Sequence, residues 1–378
     1  MSVPTPSRDS RASADTPDAR EYLATLVHTL SDIELALLLC LVADRHCILT
    51  TEAGYVATLE EAVEITAQSK FALAVRSVQC VPEMTLEEFV AAVTGGEERR
   101  GSSEDVARQS TLGIPNVLVL CDLESAGQLV QAQVLELMRT RKITTTAGTT
   151  VVVPERFLII ALMAKMSGRL RLLSHLQEQF FISHHHSPPD SGDGDDDDAS
   201  YTETDTDSIS YNRQLHTRPP TASDTSSLAS VVIRKYPSFQ PPPQPETPPI
   251  PAEIITETRA LAADVCVSTE IRRYLLDIIV FLRMHRAVRG GVTAQATVDF
   301  ELLVRCLAPL HNLDFATPAL VSLAAFKVYA HRIALATSAD DERSTLWGSS
   351  KQAAETYLAR IDVEAVIEDV LAGVKAPV

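Results

Sequence analysis

The alternation of apolar and polar positions divides the chain into a sheet-forming half and a helical half. Ser31 and Glu34 form an S-x-x-E capping box ahead of IELALLLCLVA, a run apolar on nearly every side, which predicts a buried helix. CILTT (47–51) reads as a short buried strand, TLEEAVEITAQSKF (58–71) as an amphipathic helix and ALAVRSVQC (72–80) as a second strand. Thr85 and Glu88 cap a helix through Val93, and 94–105 reads as a loop. NVLVLC (116–121) is an apolar strand, GQLVQAQVLELMRT has helical spacing, and KITTTAGTTVVVP reads as a hairpin around Ala147-Gly148. RFLIIALMA is another buried strand, RLRLLSHLQEQ is helical, and FFIS is a last strand. Continuous apolar strands alternating with helices predict a largely parallel sheet covered on both faces.

From about His184 the pattern fails. HHHSPPDSGDGDDDDASYTETDTDS, ending in QPPPQPETPPIP, is acid-, Ser/Thr- and proline-rich and cannot bury enough surface to offset its ordering entropy. Only LASVVIRKY (228–236) hints at an ordered piece. Helical spacing then returns. STEIRRYLLDIIVFLRMHRAV reads as one long helix and TAQATVDFELLVRCLAPL as a second. Thr317-Pro318 starts a third, ALVSLAAFKVYAHRIAL, and one or two more occupy 349–374. The expected domains are a tail at 1–19, an α/β core at 20–186, a disordered linker at 187–251, an all-α domain at 252–336 and further helices at 337–378.

Length and composition narrow the function. A chain of 378 residues suits two domains, and a net charge of −17 argues against nucleic acid as a partner. Six scattered cysteines without a CxxC read as reduced core thiols of a cytoplasmic or nuclear protein. No apolar run reaches the roughly 18 residues of a membrane span. The first twenty residues mix Arg8, Arg11 and Arg20 with Asp9, Asp15 and Asp18, unlike a targeting peptide.

Two stretches resemble one family. NVLVLCDLESAGQLVQAQVLELMRTRKITTTAGTTVVVPERFLIIALMA is similar to the Walker B, helix, hairpin and sensor 1 block of the MoxR and magnesium-chelatase ATPase-subunit branch of AAA+ proteins. The stretch from Glu270 to Ile333 resembles the helical lid of that branch. The resemblance implies a P-loop-type doubly wound core, a separate lid, assembly with other protein subunits as a homo- or hetero-oligomer, and a site for ATP and Mg²⁺.

The residues at the implied chemical positions do not carry that chemistry. A phosphate loop, G-x-x-x-x-G-K-[ST], uses glycine to turn backbone N–H groups inward and lysine to neutralise phosphates. On 51–58, Gly54 and Thr58 survive, but Val56 replaces the last glycine and Ala57 the lysine. The lost lysine forfeits about 1.5–3 kcal/mol, a roughly tenfold to hundredfold loss of affinity. The Walker B aspartate falls on Cys121, a poor ligand for Mg²⁺, and its glutamate on Asp122; a one-residue shift would put Asp122 at the metal and Leu123 at the base. Sensor 1 falls on Ala164, the arginine finger on Gln179 and sensor 2 on Gln295. These substitutions together predict no catalytic residue, no metal and no cofactor.

Other groupings have bland readings. His184-His185-His186 with Asp190 and Asp195–Asp198 is a solvated charge run rather than a metal site. Ser200, Thr202 and Thr204 sit in an acidic setting suited to phosphorylation, and the proline run suits a stiff spacer. Arg272, Arg273, Arg283 and Arg286 mark a basic face of the long helix, either solvated or a docking surface for the acidic linker or the core. The expected function is a catalytically silent AAA+ scaffold or regulatory subunit. The alternatives are a working Mg²⁺-dependent ATPase of chelatase type and a phospho-regulated linker.

Overall fold

A computed structural model describes residues 19–95, 113–145, 148–165, 171–187, 249–343, 348 and 350–377. The expected tail before Ala19, Ala147, the acidic run Asp195–Asp198 with Asp190, Ser200, Thr202 and Thr204, the segment 228–236 and the proline run up to Thr247 lie outside the described residues.

The elements of the first half are α1 (Ala19–Val27), α2 (Asp32–Ala43), β1 (His46–Thr51), α3 (Val56–Ser69), β2 (Val75–Gln79), α4 (Leu86–Thr94), β3 (Val117–Cys121), α5 (Gln128–Thr140), β4 (Lys142–Thr144), β5 (Thr150–Val152), β6 (Leu158–Ala164), α6 (Ser174–Gln177) and β7 (Phe180–His185). Five strands form a parallel sheet in the order β2-β3-β6-β1-β7, and β4 and β5 form a separate antiparallel hairpin. The period of two sorts each strand's side chains. Cys47, Leu49, Val117, Val119, Leu158, Ile160 and Leu162 enter one apolar cluster, while Ile48, Leu118, Leu120, Ile159, Ala161 and Met163 enter the other. Helices α4 and α5 cover the second face. Both predicted capping boxes form: Ser31 with Glu34 starts α2, and Thr85 with Glu88 starts α4.

The second half comprises α7 (Ala252–Asp264), α8 (Thr269–Met284), β8 (Val288–Gly290), α9 (Ala294–Leu310), α10 (Pro318–Tyr329), β9 (Ala334–Leu335), α11 (Lys351–Leu358) and α12 (Val363–Gly373). These helices share the first apolar cluster with α2, α3 and the sheet. The Arg259 side chain of α7 donates to the carbonyls of Val42 (2.9 Å) and Leu41 (2.8 Å), satisfying the open end of α2. The predicted separate lid is therefore packed into one unit with the α/β part, which together form a compact body.

Three local expectations are corrected. The second half is not all-α: β8 and β9 pair antiparallel. The long helix ends at Met284 because His285 turns extended (φ −60°, ψ 136°) to lead into that ribbon. Gly291 (φ +97°) makes the ribbon possible, since a Cβ there would lie 1.8 Å from the Arg332 carbonyl oxygen. Of the helix expected over RLRLLSHLQEQ, residues 169 and 170 lie outside the described residues, and from 171 on only Ser174–Gln177 is helical, the Leu173 N–H donating to the Gln131 side chain (2.9 Å). Helix α1 was not anticipated; its Leu23 is fully buried.

Candidate functional site

The carboxyl ends of β1, β3 and β6 define the place where an open α/β sheet receives a ligand. Register puts Thr51 opposite Ala164 and Cys121 opposite Leu162. The structure thus brings together the phosphate-loop, Walker B and sensor 1 positions. What it builds there is not a phosphate cradle. Residues Ala53–Tyr55 form a single 3-10 turn and α3 begins directly at Val56. The Tyr55 N–H is used locally, donating to the Glu52 carbonyl at 2.9 Å. No residue from 51 to 58 has a positive φ, and Val56 is right-handed helical (φ −59°, ψ −45°). Gly54 has nothing within 4 Å of an added Cβ, so neither its conformation nor its surroundings call for glycine. Gly54, Ala57 and Thr58 are exposed, and Ala57 leaves residues 51–58 themselves without a lysine or arginine, while the exposed Lys165 at the end of β6 donates its N–H to the Thr51 carbonyl (2.6 Å).

The position aligned with Walker B, at the end of β3, holds a thiol beside a carboxylate. Cys121 is buried, and its thiol is held well above the usual range, first by burial and then by the Glu60 carboxylate beside it. Neighbouring Cys80 is pushed up to about 12 by burial, with the Asp122 charge adding to it. Asp122 adopts a left-handed backbone (φ 54°), its N–H donates to the Leu162 carbonyl (2.9 Å), and its carboxylate accepts from Gln79 (2.8 Å). A neutral thiol flanked by Glu60 does not suit Mg²⁺, and a turn with no positive φ, bordered by Glu52 and carrying no lysine of its own, does not cradle a triphosphate. These residues do not fit ATP and Mg²⁺. Among the described residues no group of three or more His, Cys, Asp or Glu is placed to hold a metal ion.

The remaining two positions lie elsewhere. Gln179 immediately precedes β7, whose first residue Phe180 pairs with His46 at the amino end of β1. Gln295, at the start of α9, donates to Asp299 (2.9 Å). Asp299 accepts from Arg332 (2.6 Å), which also donates to the Phe180 carbonyl (2.6 Å), and Arg45 approaches at 3.8 Å. Gln179 and Gln295 are therefore at the amino end of the sheet. The length of β1, roughly 17 Å at 3.3 Å per residue, separates that end from Gly54.

Sequence reasoning missed this buried ion pair. The Asp299 and Arg332 side chains are 2% and 1% exposed. A signal was present, since Asp299 interrupts the apolar face of α9 between Ala296 and Phe300. His331 adds to the junction: its Nε2 lies 2.9 Å from the Phe180 carbonyl, and burial, followed by the Arg332 charge, lowers its pKa to about 3. At the other end of β7, Lys327 of α10 lies 2.8 Å from His184 Nδ1, and burial lowers His184 to about 4. Arg272, Arg273, Arg283 and Arg286 do not form an open cationic face. Arg286 pairs with Glu342 (2.7 Å) and stacks on Tyr357, Arg283 donates to the Val292 carbonyl, and Arg272 and Arg273 approach Glu301 and Asp277.

The parallel sheet with the helices on its two faces is a mixed α/β fold. It is similar to that of a candidate ATPase from Cytophaga hutchinsonii, with a TM-score of 0.56 over 91% of this chain and 97% of that one at 14% identity, a likeness of fold alone. In sequence, a part of the chain is 32% identical over 100 residues to the Maintenance of telomere capping protein 2 of Kluyveromyces lactis, covering 25% of this chain and 36% of that protein. The Saccharomyces cerevisiae protein of the same name is 31% identical over 112 residues, covering 29% and 31%. The matched stretch spans about a third of the length of these relatives. No protein-family model matches the chain. Among the described residues no helix is long and apolar enough to cross a membrane.

Proposed function

We propose that this chain is a catalytically silent AAA+-type module of the MoxR and magnesium-chelatase kind, acting as a scaffold or regulatory subunit through protein–protein assembly. The observation that carries the reading is the turn at 51–58. Its backbone is spent on a 3-10 turn, it has no positive φ, and a thiol with Glu60 stands where a magnesium ligand belongs. The buried Asp299–Arg332 pair supports it further, since it lies with Gln295, the position aligned with the nucleotide sensor, at the end of the sheet remote from that turn. The yeast relatives' name extends the proposal to maintenance of telomere capping and favours a nuclear site of action over the cytoplasm. There the chain would work through partner proteins rather than DNA, in keeping with its charge of −17.

The Cytophaga neighbour's name favours a second reading, a working Mg²⁺-dependent ATPase. Titration with a fluorescent ATP analogue in Mg²⁺, with a phosphate-release assay alongside, separates the two. The scaffold reading expects neither saturable binding nor turnover; either one by the natural sequence overturns it.

A further inference from the structure

The carboxyl end of β7 sets an amine against a base, at none of the positions that the resemblance assigns. Lys327, in the last turn of α10, places its Nζ 2.8 Å from Nδ1 of His184. The other ring nitrogen, Nε2, is buried and has no hydrogen-bond partner among the described residues. The Asp32 carboxylate, in the first turn of α2, lies 3.9 Å from it. The His184 side chain is 12% exposed and that of Asp32 77%, so the imidazole is held while the carboxylate has room to turn toward it. Amine, imidazole and carboxylate thus stand in the order of nucleophile, base and orienting group.

Both halves of the chain contribute charge to this junction: Asp32 from α2 and His184 from β7, Lys327 from α10 and Glu364 from the first turn of α12. Lys327 is half-buried. Burial lowers its pKa against the raising pull of Asp32 and Glu364, which increases the share of neutral amine, the form that attacks a carbonyl carbon. Burial, followed by the Lys327 charge, lowers His184 to about 4 and leaves its ring neutral near pH 7. With the ring proton on Nε2, facing Asp32, Nδ1 is the acceptor for a proton from Lys327. The Lys327 charge is absent from the amine form, so His184 is a better base at the moment of reaction than beside the ammonium. The carboxylates Asp32 and Glu364 select the electrophile, since they repel an acyl phosphate and admit an uncharged acyl thioester.

The geometry points to Lys327 as an acylation site that takes an acyl group from a thioester, with His184 as its base. The Nζ–C bond forms and the C–S bond breaks. The amine proton passes to His184 Nδ1 and from there to solvent, and the leaving thiolate takes up a proton from water. A neutral amide then replaces the ammonium beside Asp32 and Glu364, which changes the charge holding α10 against β7. The inference goes beyond the scaffold reading and does not rest on it. Its test treats the full chain at about pH 7.5 with S-acetyl-N-acetylcysteamine, a small uncharged thioester, and follows each lysine by peptide mass spectrometry. The exposed Lys142, Lys165 and Lys375 are the internal standards. Lys327 should acetylate at least about tenfold faster than these, and its rate should level off at a lower pH. His184→Gln should remove the advantage, with a thermal melt showing that the variant is folded. Asp32→Asn, at an exposed position, decides the matter even where the His184 variant does not fold. Its carboxylate raises the Lys327 pKa, so activation by burial alone expects the variant to react faster. Support of His184 by Asp32 expects it to react slower, by about threefold or more. Lys327 reacting no faster than the standards, a folded His184→Gln variant that keeps the advantage, or an Asp32→Asn variant with an unchanged or raised rate would overturn the proposal.

Discussion

Replacing Arg332 with methionine tests whether the helical half is latched to the sheet. Arg332 and Asp299 are almost wholly buried and 2.6 Å apart, and Arg332 also serves the Phe180 carbonyl. Methionine fills much of the arginine volume but leaves a carboxylate in a low-dielectric site. Breaking a buried pair in this way costs about 3–5 kcal/mol. Gln295 still donates to Asp299, and Arg45 stands at 3.8 Å with its side chain 41% exposed, so the cost should fall near 3 kcal/mol, the lower end of that range. With a urea m-value of about 3 kcal/mol/M, that is a midpoint shift of about 1 M. Asp299→Leu combined with Arg332→Met removes both charges, and apolar replacement of a buried pair is close to neutral. The double variant should therefore recover most of the loss, which a double-mutant cycle followed by urea unfolding measures directly. Hydrogen exchange in α9 and α10 should rise in the single variant alone. A cost below about 1 kcal/mol for Arg332→Met, or a double variant as unstable as the two singles summed, would refute the latch.

Lowering the pH should destabilise the fold through His46, His184 and His331, whose burial depresses them to about 4, about 4 and about 3. The unfolded chain takes up these protons below about pH 6.5 while the folded chain does not, so stability is full above that pH and is lost as the pH falls through 4 and 3. The slope in between reaches up to about 4 kcal/mol per pH unit, and His331→Gln should lower it by roughly a third in urea melts. Gly291→Ala should cost at least about 2 kcal/mol, because its Cβ meets the Arg332 backbone at a positive φ. Gly54→Ala, in open space at an ordinary φ, should be neutral or stabilising by up to about 1 kcal/mol, and a marked loss of stability would contradict the turn described at that site. Thiol titration of the native protein should find Cys266 reactive, with Cys40, Cys47, Cys80, Cys121 and Cys306 reached only after denaturation.

The strands and their capped helices were legible because each rests on local pattern. LIIALMA and VLVLC can only be doubly covered strands, and Ser31–Glu34 and Thr85–Glu88 announce helix starts. Elements decided by tertiary partners were not. The stretch before Ser174 looks helical until Gln131, 42 residues upstream, captures the Leu173 N–H. The β8–β9 ribbon is three residues against two, too short for a periodic signal, and depends on Gly291 passing the Arg332 carbonyl. At the candidate site, the missing lysine at Ala57 and the thiol at Cys121 could be read from spacing within a resemblance. The approach of Glu60 to Cys121 joins a helix to a strand and has no signature in sequence.

The two ends of the sheet now bear on each other. In an ATP-driven module a charge change at the phosphates must reach the helical domain through residues that contact both. Here the position aligned with the lid's nucleotide sensor, Gln295, is bonded to Asp299 at the amino end, the length of β1 away from Gly54. The helical half is held by Arg259 on α2, by Arg332 and His331 on Phe180, and by Lys327 on His184. Of these, only the Lys327–His184 contact stands at the carboxyl end of the sheet, where β7 runs beside Leu49 and Thr50. A ligand shifts a conformational equilibrium only through contacts that differ between its states. On the proposed scaffold reading, the buried Asp299–Arg332 pair positions the helical half without a charge change at residues 51–58.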